Sequence, residues 1–509
     1  MGSAAAQRRN AVGAAPVPEP QAARAMLKVL TCGSVDDGKS TLLGRLLWDT
    51  GKVFEDHRGA IVRAAGHGAT PDLSLLVDGL QAEREQGITI DIAWRYIDTP
   101  RRRLVFIDSP GHEQYTRNMA TGASQADVAV LLVDARHGAK RQTRRHVAIC
   151  ELMGVRQLIL AVNKMDLVGW SSARFDEVET EFQDLAADLR LARVTAIPIS
   201  ALGGDNVVRR SPAMPWYTGP TLVDWLEELE PMAQAVTAPF RMPVQLVVRA
   251  GSDFRGYAGT ISSGCIAAGD RVLEPVSGVS ARVRRIATMD GDLPLAQAGD
   301  AVTFQLDTDL DIARGTVLAA PDRPPRVARA LEARMVWLSD RPFDPRAGYL
   351  LRAATDVVPV MSIDIAQVLD VDRLQPRCAA SCRANDIADC RIVLARRTVL
   401  DPFKQSRETG AFVLVDAIDG ATVAGGVVTA LVEGTSRVRS GAFVLTRTAL
   451  ERGLCADLGS GPRDQEEFKR RANEVALLLR SAGVAVELES LWAAVEPTGR
   501  VRTMPAAAE

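Results

Sequence analysis

Five short apolar runs punctuate residues 27–230: Leu27–Cys32, Leu104–Ile107, Val128–Val133, Leu158–Val162 and Val194–Ile199. Between them lie longer amphipathic segments such as Gln142–Leu152 and Arg174–Leu189. Runs this short suit buried strands, and the segments between them carry the period of helices packed on one side. Strand–helix alternation predicts βαβ units and a mostly parallel sheet with helices on both faces. A last helix over Leu222–Leu229 should end at Glu230–Pro231, because proline cannot continue it.

The pattern then changes. Residues 238–320 hold short β-branched runs broken by glycine: Val244–Val248, Gly259–Ile261, Arg271–Leu273, Val302–Leu306 and Gly315–Leu318. No long helix fits between them, which predicts a small antiparallel β-barrel. Pro321, Pro324 and Pro325 mark a linker, and a second all-β stretch follows, with Arg391–Leu394 and Ala411–Val415 among its strands. Helical character returns at Gln465–Ser481. The expected class is multidomain: a P-loop α/β domain, two antiparallel β-barrels and a short α/β C-terminal segment. The expected boundaries are a disordered tail at 1–25, the P-loop domain at 26–235, barrels at 236–322 and 323–430, and a tail or remnant at 431–509.

Composition narrows the partners. Apolar residues make up 47% and charged residues 24% of the 509, ordinary globular values that exclude a disordered or coiled-coil chain. The net charge of −2 argues against a protein that wraps nucleic acid. No apolar stretch has the roughly twenty residues a spanning helix needs, and the first 25 residues lack a signal-peptide core. Seven scattered cysteines fit a reducing cytoplasm better than a disulfide framework. Cys378, Cys382 and Cys390 cluster without a nearby histidine and are expected to be buried strand residues rather than zinc ligands.

The chemistry lies at strand ends. After the first run comes Gly33-Ser34-Val35-Asp36-Asp37-Gly38-Lys39-Ser40-Thr41, the spacing of a P-loop between a strand and a helix. Its backbone N–H groups and helix start cradle phosphates, Lys39 neutralises the outer ones, and Ser40 is placed to ligate Mg²⁺. The second run delivers Asp108, followed by Ser109-Pro110-Gly111-His112; Asp108 suits the Mg²⁺ shell, and Gly111 leaves its N–H free for a γ-phosphate. The fourth delivers Asn163-Lys164-Met165-Asp166, where a carboxylate can accept from the N1–H and N2–H₂ edge of guanine, a pair adenine lacks. Asn163 can tie this loop to the P-loop, and the Lys164 stem can cover the base. A further strand ends in Ser200-Ala201-Leu202, whose backbone can meet the guanine carbonyl. These elements stand 75, 55 and 37 residues apart, each after a strand, so they converge on one sheet edge. The first domain is therefore expected to bind GTP with Mg²⁺. Gly87-Ile88-Thr89-Ile90-Asp91 adds a switch. Thr89 offers its hydroxyl to Mg²⁺ and its N–H to the γ-phosphate, and both interactions loosen once that phosphate leaves. His112 is a candidate to orient the attacking water.

Gly-Ile-Thr-Ile, Asp-Ser-Pro-Gly-His and Asn-Lys-Met-Asp followed by two barrels resemble translational GTPases. Longer stretches are similar to the large GTP-binding subunit of bacterial heterodimeric ATP sulfurylases: Leu75–Asp91, Asp108–Ala123, Val133–His146, Ile197–Val207, Met214–Pro220, Phe254–Ile261 and Thr409–Phe412. That resemblance implies that a separate small catalytic subunit performs the ATP and sulfate chemistry, in a heterodimer or larger assembly. GTP hydrolysis here would drive the uphill formation of adenosine 5′-phosphosulfate and pyrophosphate. It also supports a catalytic role for His112, with Thr89 and Lys39. Neither a membrane nor a nucleic acid is expected as partner. Residues 443–487 resemble a middle slice of an adenosine-phosphosulfate kinase. No second P-loop precedes them, and Thr446-Arg447-Thr448-Ala449 stands where the kinase has Asp-Gly-Asp-Asn. A non-catalytic remnant is expected there, without kinase activity. The alternative is an elongation-factor-like GTPase delivering tRNA, to which the −2 charge lends little support.

Overall fold

A computed structural model describes residues 26–51, 72–77, 89–188, 193–229, 234–251, 254–371, 374–432, 443–445, 457, 461–481 and 486–488. The tail at 1–25, the switch residues Gly87 and Ile88, and Thr446–Ala449 lie outside these described residues.

The first domain is one six-stranded sheet. In chain order its strands are β1 (Met26–Gly33), β2 (Ala93–Asp98), β3 (Arg103–Asp108), β4 (Val128–Asp134), β5 (Gln157–Asn163) and β6 (Arg193–Pro198). The spatial order is β2-β3-β1-β4-β5-β6. All neighbours are parallel except β2 and β3. Helices α1 (Lys39–Asp49), α2 (Thr116–Gln125), α3 (Arg141–Leu152), α4 (Ser172–Asp188) and α5 (Leu222–Glu228) accompany it. Every residue of β4 is buried, as a strand covered on both faces requires. One apolar core joins the sheet to α2, α3 and α4, and another joins it to α1 and α5. The direction of winding reverses at β1, which places a crevice beyond its carboxyl end.

The edge strand β2 has no counterpart in the apolar runs. Its sequence AWRYID carries polar residues on the exposed side, and Tyr96 is 60% exposed.

The next region is an antiparallel sheet curled around its own core of Phe240, Met242, Tyr257, Ile286 and Phe304, among others. A separate short strand, Arg241–Pro243, comes first, and the run expected at Val244–Val248 becomes a strand only from Leu246, in Leu246–Ala250. The chain changes partners between them: the first pairs with Val317–Ala319 and the second with Phe254–Thr260. The last all-β region closes on itself, because Tyr349–Ala353 pairs with both Ala411–Asp416 and Asp356–Asp370. The expectation for the cysteine cluster needs correction. Cys378 is exposed on an edge strand paired on one side, and Cys382 is buried in a loop; only Cys390 is a buried strand residue. Among the described residues no His/Cys/Asp/Glu cluster suits a metal ion.

Buried polar contacts join these regions. Arg241 Nε meets Asp401 Oδ2 at 3.3 Å, and Thr409 Oγ1 donates to the same oxygen at 2.8 Å. Arg407 reaches from the last barrel to the Met153 carbonyl at 2.8 Å and the Ala126 carbonyl at 3.3 Å. Residues 433–509 form a separate unit. In it Phe443–Leu445 pairs in parallel with Val486–Leu488, and the helix Pro462–Ser481 lies between them in sequence. Among the described residues no helix is long and apolar enough to cross a membrane.

Candidate nucleotide-binding site

The P-loop turns at the end of β1 and enters α1 at Lys39. Gly38 has φ +96°, and a Cβ there would run into the Asn163 amide, so glycine is required both by conformation and by the closeness of the base-side loop. Asp37 folds back inside the loop. Its Oδ2 accepts from the Ser34 N–H at 2.8 Å, and its Oδ1 accepts from Lys140 Nζ at 3.0 Å. Lys39 is buried, and its Nζ donates to the carbonyls of Gly33 at 3.1 Å and Ser34 at 2.9 Å. Burial pulls this ammonium below its ordinary pKa, against the opposing attraction of Asp108 and Asp37. Ser40 and Thr41 follow in the first turn of α1.

Asp108 ends β3, 1% exposed, and accepts from Thr31 Oγ1 at 3.1 Å. Ser109 Oγ donates to the Thr31 carbonyl at 2.7 Å. Pro110 and Gly111 are buried, and a Cβ on Gly111 would lie 2.9 Å from the Gly33 carbonyl oxygen. This loop therefore runs against the P-loop. His112 comes next, half-buried, its Nδ1 accepting from the Gln114 N–H at 3.3 Å. Thr89 stands at the approach to β2, whose Ala93 pairs with Asp108. Asn118 Nδ2 in α2 holds the neighbouring Ile90 carbonyl at 2.8 Å, so the segment carrying Thr89 is tethered to the helix that follows the loop after β3.

The base-side loop leaves β5 at Asn163. Its Nδ2 donates to the Asp37 carbonyl at 2.8 Å, and its Oδ1 accepts from the Ala201 N–H at 2.9 Å. One amide thus ties the P-loop, its own loop and the Ser200–Leu202 loop together. Lys164 takes φ +66°, and its Nζ reaches the Asp36 carbonyl and lies 3.0 Å from Asp134 Oδ2. Burial pushes Asp134 up, but hydrogen bonds from Arg136 and Lys164 outweigh it and hold its carboxyl well below the usual range. Met165 is buried, and Asp166 Oδ1 accepts from Ser200 Oγ at 2.8 Å. Arg45 of α1 caps the carbonyls of Ala201 and Leu202. All four sequence elements therefore meet at one sheet edge. Composition and spacing do not reveal the braces Lys140, Asn118 and Arg45, whose bonds run between segments remote in sequence.

His146, on the buried face of α3, meets Gln142 Nε2 at 3.0 Å through its own Nε2. Burial, with Lys39 and Arg145 nearby, lowers its pKa to about 3. The folded chain keeps it neutral, whereas an unfolded chain protonates it below about pH 6.5. The unfolded state then binds the extra proton, so acid erodes stability by about 1.4 kcal/mol per pH unit as pH falls from about 6.5 toward the folded value. His146→Asn is expected to lose less stability than the native chain between pH 7 and pH 5 in urea titrations. Equal losses would exclude His146 as a source of the acid sensitivity.

The Elongation factor Tu GTP binding domain family matches residues 24–238, and the GTP-eEF1A C-terminal domain-like family matches residues 330–429. Bifunctional enzyme NodQ of Rhizobium sp. (strain N33) is 47% identical over 80% of this chain, which spans 64% of that longer protein. Sulfate adenylyltransferase subunit 1 of Methylorubrum populi is 47% identical over 81% of this chain and 89% of its own length. Its counterpart in Rhizobium meliloti (strain 1021) is 45% identical over 91% of this chain and 92% of its own length. Identity of that order over four fifths or more of the chain and most of each relative's length means that this chain belongs to the sulfate adenylyltransferase subunit 1 family.

Proposed function

We propose that this chain is the GTP-hydrolysing subunit of a sulfate adenylyltransferase, coupling GTP hydrolysis to formation of adenosine 5′-phosphosulfate and pyrophosphate from ATP and sulfate on a separate small subunit. The observation that carries this reading is the meeting of Lys39, Asp108, Asn163–Asp166 and Ser200–Leu202 at one sheet edge in a chain of this family.

The residues divide the work by position. The P-loop amides and Lys39 receive the phosphates, and Asp166 reads the guanine edge. The donors present fit Mg²⁺, which takes few protein ligands beside substrate phosphates: the hydroxyls of Ser40 and Thr89 and the Asp108 carboxylate would hold it. When bound it supplies charge neutralisation between the outer phosphates. His112 holds the attacking water. Thr89 and Gly111 sense the γ-phosphate, and its departure releases both. The Asn118–Ile90 bond then passes a change at one segment to the other. Coupling requires that the small subunit bind the two switch states with different affinity.

The test is a coupled assay with the small subunit, ATP, sulfate and pyrophosphatase. Adenosine 5′-phosphosulfate formed per GTP consumed is expected to approach a fixed ratio. A yield that GTP does not raise would refute the coupling.

A further inference from the structure

The stretch Met214–Pro220 takes no part in the phosphate or base contacts described above, yet it touches the loop that carries Asp166. That loop is costly to hold. Within seven residues it places Lys164 at φ +66°, Gly169 at φ +62° and Trp170 at φ +60°, all left-handed, and two of the three bear side chains. A side-chain-bearing residue in that region is disfavoured and persists only where the surroundings hold it. Two local bonds contribute, Leu167 N–H to the Lys164 carbonyl at 3.0 Å and Trp170 N–H to the Met165 carbonyl at 2.9 Å, and Met165 N–H reaches the Ile199 carbonyl beyond β6 at 3.3 Å. A further bond from outside holds the far end of the loop. Trp216 Nε1 donates to the Trp170 carbonyl at 3.0 Å.

The indole that makes this bond is itself held. Its ring lies 5.5 Å from Phe175 of α4 and 6.3 Å from Tyr217, and the Tyr217 hydroxyl donates to the Pro220 carbonyl at 3.0 Å. Met214, which accepts the Tyr217 N–H through its carbonyl at 3.1 Å, is 1% exposed. The donor thus sits on a packed aromatic cluster, while the acceptor sits at the end of a loop whose other end is pinned by Lys164 and Asn163. Asp166 lies between the two anchors.

We infer that Trp216 is a positioning residue for guanine selection: its indole N–H fixes the far end of the loop and so sets where the Asp166 carboxylate stands. This rests on the reading of Asp166 as the group that accepts from guanine. A small drift of a carboxylate that must accept two bonds at once weakens recognition of the base without touching the phosphates.

The experiment compares affinities of the full chain for GTP and for inosine triphosphate, which lacks the 2-amino group. Trp216→Phe keeps the ring cluster and removes the N–H. It is expected to narrow the GTP preference by about fivefold, the worth of about one neutral hydrogen bond, with inosine triphosphate, which keeps only the N1–H bond to Asp166, losing less affinity than GTP and with Tm nearly unchanged. A purely structural role would lower both affinities by the same factor, and that result, or an unchanged ratio at native Tm, overturns the inference. Should Trp216→Phe fold poorly, Gly169→Ala probes the same loop end. No atom lies within 4 Å of the added methyl, so only the left-handed backbone is penalised. It too is expected to narrow the ratio, and an unchanged ratio there overturns the inference equally. A native chain that does not distinguish the two nucleotides removes the guanine reading itself, and the inference with it.

Discussion

Asp166→Asn is expected to weaken GTP binding by about three orders of magnitude and to make xanthosine triphosphate the preferred nucleotide. The loss follows from two hydrogen bonds to an ionised acceptor, each worth roughly 1.5–3 kcal/mol. The gain follows from the chemistry of the replacement. Xanthine keeps the N1–H but carries an oxygen where guanine has its 2-amino group, and an asparagine amide offers one acceptor and one donor to match. The structure favours a clean exchange, because the side chain is held by Ser200 Oγ at 2.8 Å, and a hydroxyl can turn to accept as readily as it donates. Fluorescence titration with both nucleotides measures the exchange. A variant that still prefers GTP would remove Asp166 from the base-reading role.

The sheet is legible in the sequence where strands are buried on both faces. β1, β3, β4, β5 and β6 each stand out as an apolar run, and the structure extends those runs by a residue or two or shifts an end by one. β2 escapes because an edge strand with Tyr96 turned outward has no such run. In the first barrel the break at Val244–Gln245 escapes for another reason. Partner exchange is a property of the sheet, and a β-branched run reads the same whether one neighbour or two hold it. Cys378 shows the limit of composition: proximity to two other cysteines does not reveal that it ends an edge strand whose four residues are all exposed.

The gathering of the phosphate, metal-side and base-side elements was legible because each follows a strand of one parallel sheet, and parallel strands share a carboxyl edge. The bonds that brace the gathering were not. Lys140 to Asp37, Asn118 to Ile90 and Trp216 to Trp170 each join segments 28 to 103 residues apart, and two of the three end on a backbone carbonyl, which leaves no trace in residue type. The stretches Val133–His146 and Met214–Pro220 did stand out by resemblance, and the structure gives each a mechanical contact with the site.

His112→Ala should leave GTP affinity nearly native and slow hydrolysis by about 10²–10³-fold, measured as single turnover with the proposed small subunit present. The geometry gives the imidazole a defined task. Its Nδ1 accepts the Gln114 N–H, so a neutral ring carries its proton on Nε2 and presents a donor. A donor can hold a water by its oxygen but cannot take the water's proton, so the role proposed for His112 is orientation. The backbone around it is fixed independently of the side chain: Tyr115 N–H bonds the His112 carbonyl at 3.1 Å, and Asn385 Nδ2 of the last barrel holds the Glu113 carbonyl at 3.1 Å. Removing the ring therefore deletes the donor without collapsing the loop. His112→Gln, whose amide also offers an N–H, is expected to recover part of the rate. A base mechanism predicts no such recovery, because a glutamine amide cannot accept the proton. Native hydrolysis by the alanine variant would dismiss His112 from the chemistry, and loss of nucleotide binding would move its role to the pocket wall.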